Sequence, residues 1–387
     1  MADLPGTEPR RPVSTFELFF DLVFVFSLTR VTALILEHPD AAGVLRGMLV
    51  LALLWWAWGA YAWLTNAVGT DGTGSRGVVL AAMGAMLVVA VAVPQASGSD
   101  APAFALGYLV VRVLHIVLYA VAGGANRAAI LKLAPGNLVA SLLLIAGVFL
   151  PHTVQIVLWG VAVLIDYGTP VLTGVGGFTV HAGHFFERHA LFIIIALGES
   201  VVAVGTGVLH TGSRITPPAA AAILLAVAAI GGLWWTYFDR EAPITEHALA
   251  RATGARRAHL ARDVFSYLHL PLVAGVVLVA VGLESIMSHP AGHLHGVYAA
   301  GLGGGAALFL LGLAGISLRR GDRPRPDHLA AAVASLCLIP VSLVLPGILT
   351  LLLLVAVLTV IGLRDRALRR STARAAEPDT PAPATPA

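Results

Sequence analysis

Apolar residues arrive in long unbroken runs, and polar residues gather in short clusters between them. A helix that crosses a bilayer needs about 20 predominantly apolar residues. With that window the first half of the chain predicts crossings near 16–36, 44–66, 77–96, 103–122, 137–150 and 152–170. The second half predicts crossings near 184–208, 216–238, 264–286, 296–317, 328–344 and 346–363. Two boundaries are weak: Pro151 is almost all that separates the short fifth run from the sixth, and Pro346 divides the last pair. The count is therefore twelve, with eleven as the alternative. The fold class that follows is an all-α polytopic membrane protein: a cytoplasmic segment 1–15, a transmembrane domain 16–363 and a tail 364–387.

Composition agrees. Of the 387 residues, 58% are hydrophobic and 12% charged, with a mean hydropathy of +0.86. Soluble domains carry about 25% charged residues. Such a chain is no cytosolic enzyme, secreted disulfide scaffold or nucleic-acid-binding domain, although its isoelectric point is near 9.3. The lone Cys337 can close no internal disulfide and lacks partners for a thiolate metal site. The expected partners are the lipid bilayer and a small solute or ion, with no cofactor and no nucleic acid.

Charge sets the expected orientation. With twelve crossings and a cytoplasmic N-terminus, 20 of the 24 Lys and Arg residues fall on the cytoplasmic side. Arg30, Arg46 and Arg214 fall outside, and Arg112 lies within a crossing. Both termini are then cytoplasmic. Arg10-Arg11 before an apolar run imitates a twin-arginine signal, but Glu17 and Asp21 interrupt the run and no small-residue cleavage site follows. The Pro-, Ala- and Thr-rich tail is expected to be disordered.

The halves echo each other. Phe16-Glu17 opens the first crossing and Phe186-Glu187 the seventh; Leu54-Trp55-Trp56-Ala57-Trp58 in the second matches Leu233-Trp234-Trp235-Thr236-Tyr237 in the eighth. An offset of six crossings is even, so the expected repeats, 16–170 and 184–363, point the same way. Interfacial tryptophan belts would give the same aromatic match without a repeat. Three segments resemble the bacterial low temperature requirement protein A family: FELFFDLVFVFSLTRV at 16–31, HFFERHALFIIIALGESVVAVG at 184–205 and YLHLPLVAGVVLVAVGLE at 267–284. The resemblance implies a bacterial multi-pass inner-membrane protein. It implies little chemistry, since the family name records a cold-growth phenotype.

Ionisable residues inside apolar runs are the functional candidates, because a charge at the bilayer centre costs about 2.5–3.5 kcal/mol on insertion scales. Tyr108, Arg112, His115 and Tyr119 follow the spacing i, i+4, i+7, i+11, one helical stripe about 16 Å long. It reads as an interior polar path, or as an Arg clamped by a carboxylate that locks two helices. The expected partner of Arg112 is Glu199 in the seventh crossing, within salt-bridge or single-water reach. Small residues near Glu199 also fit close helix packing.

Glu17 and Asp21 lie one turn apart near the cytoplasmic surface and can share a proton or be satisfied by Arg188 or His184. Glu17 also suits a helix N-terminus. Glu187 joins this group. Asp166 reads as a helix end, and His269 as a proton-relay group or a packed imidazole. His181, His184 and Glu187 have metal-like spacing without a specific pattern, and His289, His293 and His295 read as solvated.

No phosphate-binding loop, dinucleotide fingerprint, HExxH or GxSxG occurs, and GLGGG at 301–305 reads as a close-packing face. Transport of a small solute or ion is the favoured function, with Arg112 and Glu199 as midplane pair, Glu17 and Asp21 as the access point, and His115 and His269 as relays. The alternatives are a non-transporting sensor or scaffold, and a lipid-acting enzyme using Asp21, His184, Glu187 and Arg188.

Overall fold

The computed structural model describes residues 12–69, 72–209 and 215–376. Long apolar runs can satisfy their backbone in lipid only as helices, and helices are what form. In the first half these are α1 (Thr15–Glu37), α2 (Ala41–Val68), α3 (Thr73–Gln95), α4 (Ala101–Ala122), α5 (Arg127–Val148) and α6 (His152–Thr173). In the second half they are α7 (Ala182–Leu209), α8 (Pro217–Arg251), α9 (Gly254–Ser288), α10 (Gly296–Arg320), α11 (Pro326–Val341) and α12 (Gly347–Ala376). Among the described residues no strand forms.

Eleven of these helices are long and apolar enough to span a bilayer; α11 has only 16 residues. It still runs between the same two faces as its neighbours. Asp327 at its start meets Arg364 of α12 at 2.7 Å, while Gly347 after it donates to the carbonyl of Gly292 in the α9–α10 loop at 2.7 Å. Among the described residues the count is thus eleven helices of bilayer length and a shorter apolar twelfth.

α5 starts ten residues before the run that predicted it. The stretch 127–136, interrupted by Arg127 and Lys132, is rich in Ala, Leu, Lys and Arg, strong helix formers, and Pro135 is accommodated inside. α12 likewise continues to Ala376, so the expectation of disorder from residue 364 fails over 364–376. The Arg- and Ala-rich sequence there propagates a helix out of the apolar segment. The remainder of that tail, 377–387, lies outside the described residues, as does the N-terminal segment up to residue 11.

α1 packs on α2 and α3, α3 on α4, α4 on α5, α5 on α6, and α6 returns to α2. α7 packs on α8 and α9, α9 on α10, α10 on α11, α11 on α12, and α12 returns to α8. The same order of neighbours thus recurs six helices apart. Contacts of α1 with α7 and α9 join the halves.

The surface is apolar where a water-soluble protein would be polar: Leu164 is 73% exposed, Leu224 72% and Leu172 87%. Buried charges sit inside, and arginines gather at one end. Arg320 meets Glu241 at 2.9 Å and Arg319 meets Asp263 at 2.6 Å, both at the face where α1, α7 and α9 begin. We call it the basic face.

GLGGG does form a close-packing face. An added Cβ on Gly305 would lie 2.6 Å from the carbonyl oxygen of Gly275, and one on Gly301 would lie 2.7 Å from that of Leu278. Backbones of α9 and α10 approach this closely only without side chains. Three π-helical stretches, Tyr237–Glu241, Ala261–Leu268 and Ala300–Gly304, widen α8, α9 and α10.

Candidate functional site

Two buried arginines organise the interior. The first, Arg188, lies two turns into α7 with no exposed surface. Its Nη2 donates to Asp21 Oδ1 at 2.7 Å, its Nη1 sits 3.1 Å from Glu17 Oε1, and Nη1 also donates to the Thr65 hydroxyl at 3.2 Å. Trp58 donates its indole N–H to the same Asp21 oxygen at 2.8 Å. Glu17 additionally closes a capping box with Ser14 and meets His184 Nε2, whose other ring nitrogen faces Asn66 at 3.1 Å. Of the two sequence alternatives for Glu17 and Asp21, satisfaction by Arg188 and His184 is the one realised. The cluster ties α1, α2 and α7 together at the basic face.

Glu187 is half-buried beside this cluster and accepts a hydrogen bond from the backbone of Val13 at 3.2 Å. Asp21, His184 and Arg188 are fully buried.

The second arginine, Arg112, occupies the middle of α4 and is 1% exposed. Its partner is Asp166 of α6, not Glu199: Nη2 reaches Asp166 Oδ1 at 3.4 Å, and the Tyr108 hydroxyl donates to Oδ2 at 3.1 Å. Packing explains the correction. α4 and α6 both flank α5 and run the same way, and the stripe Gln155, Trp159, Ala162, Asp166 on α6 faces the stripe Phe104, Tyr108, Arg112 on α4. Arg112 Nε and Nη1 find no hydrogen-bond partner, and His115 lies one turn further, against the backbone of Ala60.

Arg112 and His115 line a cleft of about 60 Å³. Its walls are Trp55, Trp56 and Trp63 of α2, Tyr119 of α4 and Phe178 of the α6–α7 connection. Its remaining polar lining is Asn137, Arg262 and Ser266. Trp63, Tyr119, Phe178 and Arg262 belong to the basic-face ends of their segments, so the cleft runs from mid-bundle toward that face. Beyond Arg112 in the other direction Tyr108, Phe104 and Trp159 are all buried, with the last two rings 5.4 Å apart.

One wall of the cleft exists because α9 is widened there. A π-helical stretch disturbs the i→i−4 ladder and often marks a functional site. Here Trp55 Nε1 donates to the Ser266 carbonyl at 2.7 Å and Trp63 Nε1 to the Ser266 hydroxyl at 3.0 Å. Arg262 donates to the carbonyl of Pro170 at 2.9 Å and its guanidinium lies 5.6 Å from the Tyr267 ring centre.

Glu199 and His269 stand apart from the cleft. Glu199 is buried and accepts a hydrogen bond from the Thr29 hydroxyl, with Thr32 and Glu284 beside it. His269 donates from Nδ1 to the Val264 carbonyl at 2.9 Å, which leaves Nε2 to accept from the Tyr237 hydroxyl, also at 2.9 Å. His189, packed among Trp58, Phe185 and Phe265, separates it from Arg188. His115 and His269 therefore do not form one chain of relays.

Asp166, read from the sequence as a helix end, lies inside α6 and pairs with Arg112, and Trp56, Asn137, Arg262 and Ser266 are the site residues that reading passed over. Only Asp166 left a signal, the helical spacing from Gln155 through Trp159. The others come from three separate helices, and no local pattern brings them together.

Residues 12–363 match the family described as bacterial low temperature requirement A protein. An uncharacterized protein of Rhizobium meliloti (strain 1021) is 30% identical over 313 residues, covering 76% of this chain and 75% of the relative. No solved structure matches.

Proposed function

The chain belongs to the bacterial low temperature requirement A family, and we propose that it carries a small solute or ion across the bacterial inner membrane through the Arg112 cleft. One observation carries this reading: a buried arginine with unused donors forms the floor of a cleft that starts mid-bundle, runs to the basic face and is shut beyond by buried aromatic rings. A carrier halted with its site open to one side has this form, and carriers keep their sites near the midplane between repeated halves. The recurring order of helix neighbours supports a parallel repeat. By the positive-inside rule the basic face is cytoplasmic, with both termini there.

The test is reconstitution in liposomes with imposed ion, proton and solute gradients, wild type beside Arg112→Gln. Flux in the wild type that the substitution removes is the expected result. Flux unchanged by the substitution would take the pathway away from Arg112. No flux under any gradient would contradict transport and favour a non-transporting sensor.

A further inference from the structure

The lining of the cleft restricts what it can hold. Its charged side chains are Arg112 and Arg262; none of the residues lining it is an Asp or a Glu. Arginine carries donors and no acceptor. Arg112 spends one nitrogen on a long 3.4 Å contact with Asp166, which leaves the three hydrogens of Nε and Nη1 without acceptors in a nearly solvent-free position. Asp166 in turn accepts from the Tyr108 hydroxyl and is hydrogen-bonded by Trp56, a wall of the cleft. Unmade charge-assisted hydrogen bonds in a buried site are costly unless something supplies the acceptors.

Cations gain nothing there. The nearby carboxylates are each already paired, Asp166 with Arg112, Asp263 with Arg262, and Glu17 and Asp21 with Arg188, and none of them lines the cleft. A neutral solute could accept a hydrogen bond but would forgo the attraction of the guanidinium.

The walls add a second requirement. Trp55, Trp56, Trp63, Tyr119 and Phe178 offer ring faces and edges over most of the surface. A hydrated inorganic anion would leave these rings in contact with water. A flat apolar body would cover them while its anionic end reached Arg112.

We propose that the cleft binds a small organic monocarboxylate whose carboxylate accepts from Arg112 and whose apolar or aromatic body packs between the tryptophans. Arg262, which lines the same cleft, is paired with Asp263 at 2.6 Å, so Arg112 is the cation that the carboxylate meets. This assignment deepens the transport reading and rests on the same cleft, but binding can be measured without transport.

The experiment is equilibrium binding of tritiated benzoate to the purified full chain in lipid nanodiscs, with benzylamine, benzyl alcohol, chloride and phosphate as competitors. Expected is saturable binding that neither benzylamine, benzyl alcohol nor the two inorganic anions displaces at equal concentration. Arg112→Gln combined with Asp166→Asn keeps the site neutral without leaving a carboxylate unpaired, and should weaken benzoate by about tenfold or more. Size-exclusion behaviour of that double variant reports whether it folds, and Phe178→Ala provides an independent loss of the apolar contact. Benzoate held no better than benzyl alcohol, or equally by wild type and the folded double variant, overturns the proposal. Equal displacement by chloride or phosphate overturns its organic part. Binding without liposome flux retains the carboxylate site and rejects transport; flux of other solutes without benzoate binding does the reverse.

Discussion

Arg188 and Arg112 are the same residue in nearly the same degree of burial, yet they are used differently. Arg188 faces two carboxylates, a threonine hydroxyl and two aromatic rings within 6.0 Å, and only its Nε lacks an acceptor. Arg112 faces one carboxylate at a longer distance and has two nitrogens unused beside empty space. An arginine with its hydrogen bonds filled holds helices in register. One with spare donors beside a cleft can hold something that is not always there. Burial alone does not separate the two roles; satisfaction of donors does.

Removing each charge should expose the difference. Arg188→Gln leaves Glu17 and Asp21 buried without their cation, and breaking a buried pair costs about 3–5 kcal/mol. The expected outcome is loss of monodisperse folded protein, read by size exclusion after membrane extraction. Replacing Arg112 and Asp166 together by Gln and Asn swaps a buried pair for neutral groups of similar shape, and such exchanges are near neutral in stability, within about 2 kcal/mol. That variant should unfold close to wild type in thermal scans yet lose benzoate. If it is the Arg188 variant that folds and loses ligand, the roles are reversed.

Smaller substitutions sharpen the contrast. Trp58→Phe and Tyr108→Phe each delete one hydrogen bond to a buried carboxylate, worth about 1 kcal/mol. Both should lower the unfolding temperature slightly, while only Tyr108→Phe, which frees Asp166 to shift against Arg112, should alter benzoate affinity. Glu199→Gln is expected to have the smallest effect. An amide can still accept from Thr29, the residue does not line the cleft, and binding should be unchanged.

Helix positions were legible because hydrophobic runs of bilayer length admit few other structures. The boundaries that moved, at α5 and α12, are places where Ala, Arg and Lys extend a helix beyond the apolar stretch. Individual site residues were legible as ionisable groups in the wrong solvent, and Arg112, His115, Tyr108, Asp21 and Arg188 stood out for that reason. Their pairing was not. Glu199 was as plausible a partner as Asp166, since both lie deep in apolar helices, and only the packing of α4 beside α5 and α6 decides between them. The aromatic walls were hidden differently, because tryptophans near a helix end look the same whether they meet lipid headgroups or line a cleft.

The central claim is that the Arg112 cleft, and not the Arg188 cluster, receives the solute. Photolabelling with para-azidobenzoate followed by peptide mapping tests it most directly. Labels on peptides spanning 55–63 and 170–178, suppressed by excess benzoate and absent from the Arg112/Asp166 double variant, are expected. Labels concentrated on 17–21 and 184–188, or labelling that benzoate does not suppress, would contradict it.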